Sequence, residues 1–147
     1  HSLAKKLQSA IAAAGLTGSI TLTGFRADVR EIMSVSSAVL SLSLQPEAFG
    51  RTVNEALGLG VPVAGYAHGG VGEQLAGSFP AGLVPPGDAV AMTERLFEWS
   101  VTPPSMQDVK VYALQDMLDS TLALYQEMGG SVWNASRPTT VFPGLSK

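Results

Sequence analysis

The chain has 147 residues, 46% of them apolar, enough for one domain with a real core. Its formal net charge of −3 gives no general attraction to nucleic acid, and the absence of Cys excludes a disulfide frame, a thiolate nucleophile and a Cys-based metal site. His1 and His68 are its only histidines, which excludes a His-cluster metal site, and no run of about eighteen apolar residues predicts a transmembrane helix. No signal peptide is visible. The sequence opens at His1 already inside a helical pattern, and we read it as part of a longer protein.

Residues 2–14 place Leu3, Leu7, Ala10, Ile11 and Ala14 on one face. That spacing predicts an amphipathic helix closed by Gly15. Residues 20–24 alternate and are rich in β-formers, so they read as a strand. Residues 28–36 read as a short helix with Val29, Ile32 and Met33 inward. Residues 39–44 are nearly continuous in apolar character, as a buried parallel strand would be. A helix is expected over about 50–59, carrying Val53, Ala56 and Leu57 at helical spacing. Residues 61–66 read as a third strand, with Pro62 tolerable near its start. Ala67-His68-Gly69-Gly70 reads as a turn, 71–76 as a short helix and 82–84 as a brief fourth strand.

Asp88 is a plausible N-cap for a helix to about Trp99, with Val90, Leu96 and Phe97 buried. Pro103-Pro104 breaks the chain. Val109, Tyr112, Met117, Leu118, Leu122 and Tyr125 then predict a long helix over 105–128. Gly129-Gly130 ends it. Residues 129–147 lack a period and are expected to be an extended or disordered tail. Asn134-Ala135-Ser136 fits a glycosylation sequon, read here as a chance match.

The alternation of strands and helices predicts a parallel sheet covered by helices. Ligands of such sheets bind beyond the carboxyl ends of the strands. The turns at that edge are Gly24-Phe25-Arg26, 43–49 and 66–70. One stretch there organises the rest: Pro46-Glu47-Ala48-Phe49-Gly50-Arg51-Thr52-Val53-Asn54-Glu55-Ala56-Leu57. Glu47 sits in a loop, Glu55 sits inside the following helix, and Phe49-Gly50 marks the transition. Unsatisfied N–H groups at a helix start favour an anion such as phosphate.

Together with Gly60-Val61-Pro62-Val63, His68-Gly69-Gly70-Val71-Gly72-Glu73 and Gly82-Leu83-Val84, this stretch resembles the signature of retaining nucleotide-sugar glycosyltransferases of the GT-B fold. Glu47 and Glu55 match the E-x7-E pair of that family. The resemblance covers roughly residues 19–98 and implies an α/β fold: a Rossmann-like parallel sheet with flanking helices. Residues 1–128 would be part of the C-terminal, nucleotide-sugar-binding domain, without its first strands. Two such strands would lie between 20–24 and 39–44. Unless those strands are supplied, or 20–24 and 39–44 close on each other, both would be left with unpaired edges.

By the same resemblance Glu47 would contact donor-sugar hydroxyls and stabilise positive charge at the anomeric carbon. Residue type alone favours a solvated loop glutamate, and the flanking match reverses that. Glu55 would accept hydrogen bonds from the two ribose hydroxyls, which suits a carboxylate with two acceptor oxygens. Phe49, Gly50, Arg51 and Thr52 would present backbone N–H groups to the diphosphate or sugar. Arg51 reads equally as a surface cation. Phe25 and Arg26 would line the base pocket, although residue type alone favours Phe25 as ordinary core. His68 would stand beside sugar or phosphate, or serve as a polar turn residue; Gly69 and Gly70 would shape the loop.

The implied donor is a UDP- or GDP-hexose, used without a cofactor or a dedicated metal site. The implied partners are an acceptor and an N-terminal acceptor-binding domain, and peripheral membrane association of a cytoplasmic parent is compatible with the family. The chain by itself would be inactive. The alternatives are a GT-B epimerase or phosphorylase, and a non-catalytic interaction module that kept the fold. No dehydrogenase G-x-G-x-x-G follows a strand, and no P-loop or G-x-S-x-G is present.

Overall fold

The computed structural model describes residues 3–128. Its centre is a three-stranded parallel sheet in the order β1-β2-β3: β1 is Val39–Ser41, β2 Val63–Tyr66 and β3 Leu83–Val84. Val39 is opposite Val63, and Gly65 is opposite Leu83. All four residues of the central strand are buried. Parallel strands need crossovers, and helices supply them. α3 (Arg51–Gly58) joins β1 to β2, and α4 (Gly69–Ser78) with a single 3-10 turn joins β2 to β3. α1 (Leu3–Ala13) and α2 (Val29–Ser34) precede the sheet, and α5 (Ala89–Val101) and α6 (Leu114–Met128) follow it.

The core forms where the helices meet the sheet. α3 contributes Val53, Ala56 and Leu57, the i, i+3, i+4 stripe read from the sequence. α4 contributes Val71 and Leu75, and the strands contribute Val63, Ala64, Tyr66 and Val84. Trp99 of α5 closes the far side against Phe79, with ring centroids 5.7 Å apart at a tilt of 56°. Asp88 caps α5 as expected, accepting the Ala91 N–H at 2.9 Å. Asp88→Ala should cost about 1 kcal/mol, read as a lower midpoint of thermal unfolding with an unchanged far-UV spectrum.

Several expectations are corrected. Residues 20–24 form no strand. Alternating β-formers make a strand only where an edge offers ladder partners, and here Ile20 and Leu22 remain about two-fifths exposed. The segment has not closed onto β1, whose ladder is with β2. α1 forms but has no buried residue. α2 buries Met33 and leaves Val29 and Ile32 exposed. β1 ends at Ser41, and Leu42 and Leu44 beyond it are exposed. In α5 the inward stripe is Met92, Leu96 and Trp99, while Val90 and Phe97 face solvent. The Phe79–Trp99 contact fixes that phase.

The helix expected over 105–128 begins only at Leu114. Residues 103–113 run instead as a strap without regular structure. Asp108 has a positive φ of 63°, which a helix cannot contain. Met106, Val109 and Val111 of the strap pack on the core. The expectations for 129–147, including the sequon, lie outside the described residues.

Candidate functional site

The loop after β1 and the turn after β2 leave the same edge of the sheet, and the structure packs them together. The link is made through backbone. The Gly70 N–H donates to the Glu47 carbonyl at 2.7 Å. A Cβ on Gly70 would sit 2.6 Å from the Ala48 oxygen and 2.7 Å from Phe49 backbone carbon. A Cβ on Gly69 would sit 2.8 Å from the Glu47 oxygen. Only glycine permits so close an approach. The Pro46-to-Gly50 and His68-to-Gly72 motifs are thus two halves of one contact.

Two side chains reinforce it. His68 Nε2 lies 3.0 Å from the Ser43 carbonyl, an acceptor, so that nitrogen donates. The other ring nitrogen, Nδ1, is buried without a partner. Gln74, 95% buried, donates its amide N–H to the Phe49 carbonyl. Its Oε1 has no partner. Sequence reading missed Gln74. The available signal was a polar residue in register with the apolar Val71 and Leu75.

Gly50 starts α3 from the left-handed region, with φ 71° and ψ 49°, and is buried against Val71. Its carbonyl accepts the Val53 N–H at 3.0 Å. Arg51 and Thr52, both exposed, occupy the first turn, where N–H groups lack intrahelical partners. Glu47 keeps an exposed side chain while Gly70 holds its backbone. Glu55 lies one turn beyond Arg51, with their charged groups 3.8 Å apart. Both are at least half exposed, so this pair is weak.

Glu47, Phe49, Gly50, His68, Gly69 and Gly70 thus meet at one edge, with Arg51 and Thr52 in the first turn of α3 and Glu55 one turn further along that helix. Phe25 and Arg26 lie in the irregular segment before α2. Phe25 is 96% exposed. Arg26 forms a two-pronged ion pair with Asp28, and the guanidinium holds the Asp28 carboxyl below its ordinary value.

Two cavities flank the cluster. A larger one, about 810 Å³, is lined by Phe49, Arg51, Asn54, Lys110, Tyr112 and Asp116, among others. A smaller one, about 150 Å³, lies between Phe49, Glu73, Gln74 and Tyr112. Among the described residues no three His, Asp or Glu side chains come together as metal ligands. The arrangement offers first-turn N–H groups, two exposed carboxylates and an aromatic wall, which suits a polyhydroxylated anionic ligand.

Comparison with known proteins agrees in fold. The family described as glycosyl transferases group 1 matches residues 2–116. A 2-deoxystreptamine N-acetyl-D-glucosaminyltransferase of Streptomyces fradiae is 36% identical over 90 residues, covering 60% of this chain and 21% of that protein. A glycosyltransferase structure from Rickettsia africae superposes with a TM-score of 0.75 at 23% identity, over 87% of this chain and 37% of that one. That likeness is one of fold. HepE of Anabaena, solved in complex with UDP and glucose, superposes with a TM-score of 0.65 at 26% identity, over 82% of this chain and 36% of HepE. The chain therefore spans about a fifth of the curated relative and little more than a third of the solved ones.

Proposed function

The chain belongs to the group 1 glycosyl transferases, and from that premise we propose that it forms the donor-binding part of a retaining hexosyltransferase. The donor is a nucleoside-diphosphate hexose with UDP or GDP as its nucleotide. The observation that carries the reading is the loop-to-loop contact through Gly70, which sets Glu47 and the first turn of α3 on one edge. HepE, a structural neighbour, was solved with UDP-glucose, which supports a nucleotide sugar as ligand.

In this reading the N–H groups of Gly50, Arg51 and Thr52 receive the diphosphate, and Arg51 adds positive charge. Glu55 accepts hydrogen bonds from the ribose diol. Glu47 faces the sugar, holding its hydroxyls and offsetting positive charge at the anomeric carbon. His68, Gly69 and Gly70 set the loop that carries Glu47. Phe25 and Arg26 border the base, which requires Arg26 to exchange its Asp28 contact for the ligand. The bond from the anomeric carbon to the diphosphate breaks, an acceptor hydroxyl bonds through its oxygen to the same face, and its proton passes to the departing diphosphate. Dipoles aimed at the departing diphosphate lower that barrier.

The test uses the full-length protein. Calorimetry with UDP, GDP and their hexoses should show saturable binding. Proton NMR of the transfer product should show the donor's anomeric configuration. Free epimerised sugar, phosphorolysis or an inverted product would overturn the reaction. No binding of any of these nucleotides would point to an interaction module instead.

A further inference from the structure

Resting on that reading, we infer that Asn54 is a positioning residue: it docks the 103–113 strap onto α3 and so holds Tyr112 in place as the wall that, with Phe49, lines both cavities. The Asn54 amide grips both backbone groups of one distant residue. Its Nδ2–H donates to the Tyr112 carbonyl at 2.9 Å, and its Oδ1 accepts the Tyr112 N–H at 2.9 Å. This is the pairing a neighbouring strand would give, supplied by a side chain. The strap has no ladder or helix of its own, so its backbone groups need partners from elsewhere.

The other end of Tyr112 is seated too. A Cβ built on Gly77 of α4 would lie 2.8 Å from the phenol oxygen. Tyr112 is therefore held at its backbone by α3, and its phenol oxygen lies close against Gly77 of α4. It spans the seam between the two helices that carry the proposed site. Phe49 and Tyr112 line both cavities. Met106, Val109 and Val111 already fix the strap to the core through apolar contacts. What the amide adds is register. Lys110 lies just before the clamp, α6 begins two residues after it, and Asp116 of α6 lines the larger cavity. A slip of the strap would move the whole wall, and displacements of about 1 Å can cost roughly 100-fold in rate.

The experiment uses the full-length protein with UDP-glucose, UDP-N-acetylglucosamine and GDP-mannose as donors. Asn54→Ala should raise KM for the donor that wild type uses by about tenfold, with a smaller change in kcat. Asn54→Asp keeps the acceptor for the Tyr112 N–H but sets a carboxylate against the Tyr112 carbonyl, and should resemble Asn54→Ala. Gly77→Ala should displace the phenol from the opposite side and raise the same KM, and it serves as the independent arm if Asn54 variants do not fold. Asp88→Ala, the loss of a hydrogen bond at a residue that lines neither cavity, should lower the unfolding midpoint and leave KM unchanged. A KM for Asn54→Ala equal to that of Asp88→Ala, or a wild-type KM for Gly77→Ala, would overturn the inference. Wild type inert toward all three donors would overturn the functional reading itself, and the inference with it, before any variant is compared.

Discussion

Gly70→Ala should destabilise the fold by about 2–4 kcal/mol, from overpacking and one strained hydrogen bond, and lower transfer by the full-length protein at least roughly 100-fold. The atoms a new Cβ would meet are the Ala48 oxygen at 2.6 Å and the Phe49 carbonyl carbon and Cα at 2.7 Å. All three are backbone, so no rotamer change can relieve the clash. Either the 46–49 loop moves out or the first turn of α4 moves back. Both moves stretch the 2.7 Å hydrogen bond from Gly70 to Glu47, and both disturb the bond from Gln74 to Phe49. The stability loss is read from chemical denaturation, and the transfer loss from initial rates at a temperature where the variant is fully folded. Wild-type rates in a folded Gly70→Ala protein would mean that the contact does not organise the site.

This contact also shows what sequence alone reveals. The glycines of His68-Gly69-Gly70 and the turn at Gly50 stood out as motifs, and each has a steric reason in the structure. α3 was legible because Val53, Ala56 and Leu57 define a single stripe. The start of α5 was legible because Asp88 is a good cap with no rival nearby. Its inward face was not, because Val90, Met92, Phe97 and Trp99 give one helix two apolar directions. Only the Phe79 ring, brought in by the turn before β3, selects Trp99. Residues 20–24 illustrate the same limit for strands. Alternation describes a segment able to join a sheet, and membership depends on a partner edge far away in sequence.

The strap was the largest misreading. Val109 and Tyr112 fall at helical spacing, yet Met106, Val109 and Val111 reach the core from an irregular segment. Asp108 at φ 63° breaks any helix there, and nothing in its identity requires that conformation. Gln74 and Asn54 escape a reading of the sequence for a related reason. A polar residue on a helix looks like a surface residue until the fold shows which backbone group it serves.

Glu47→Ala and Glu55→Ala should fail in different ways, and the difference tests the proposed roles most directly. Glu55 lies within α3 and half exposed, its carboxylate 3.8 Å from the Arg51 guanidinium. An exposed pair at that distance contributes little to folding, so Glu55→Ala should unfold near the wild-type midpoint. If Glu55 accepts the ribose hydroxyls, its loss removes charged hydrogen bonds and weakens UDP or GDP binding by about 1–3 kcal/mol, roughly 5- to 150-fold in Kd. Glu47 lies before Gly50 in the loop, its backbone fixed by Gly70 and its side chain exposed at the strand edge. Placed against the reacting sugar, it acts most strongly when positive charge builds at the anomeric carbon. Glu47→Ala should therefore lower kcat by about 100- to 1,000-fold and leave nucleotide Kd nearly unchanged. Calorimetry gives the first quantity and steady-state kinetics the second, both on the full-length protein. Matching, near-wild-type values for the two variants would remove both glutamates from the site, while a reversal of the two effects would exchange their roles and place the sugar beside α3 and the ribose beside the loop.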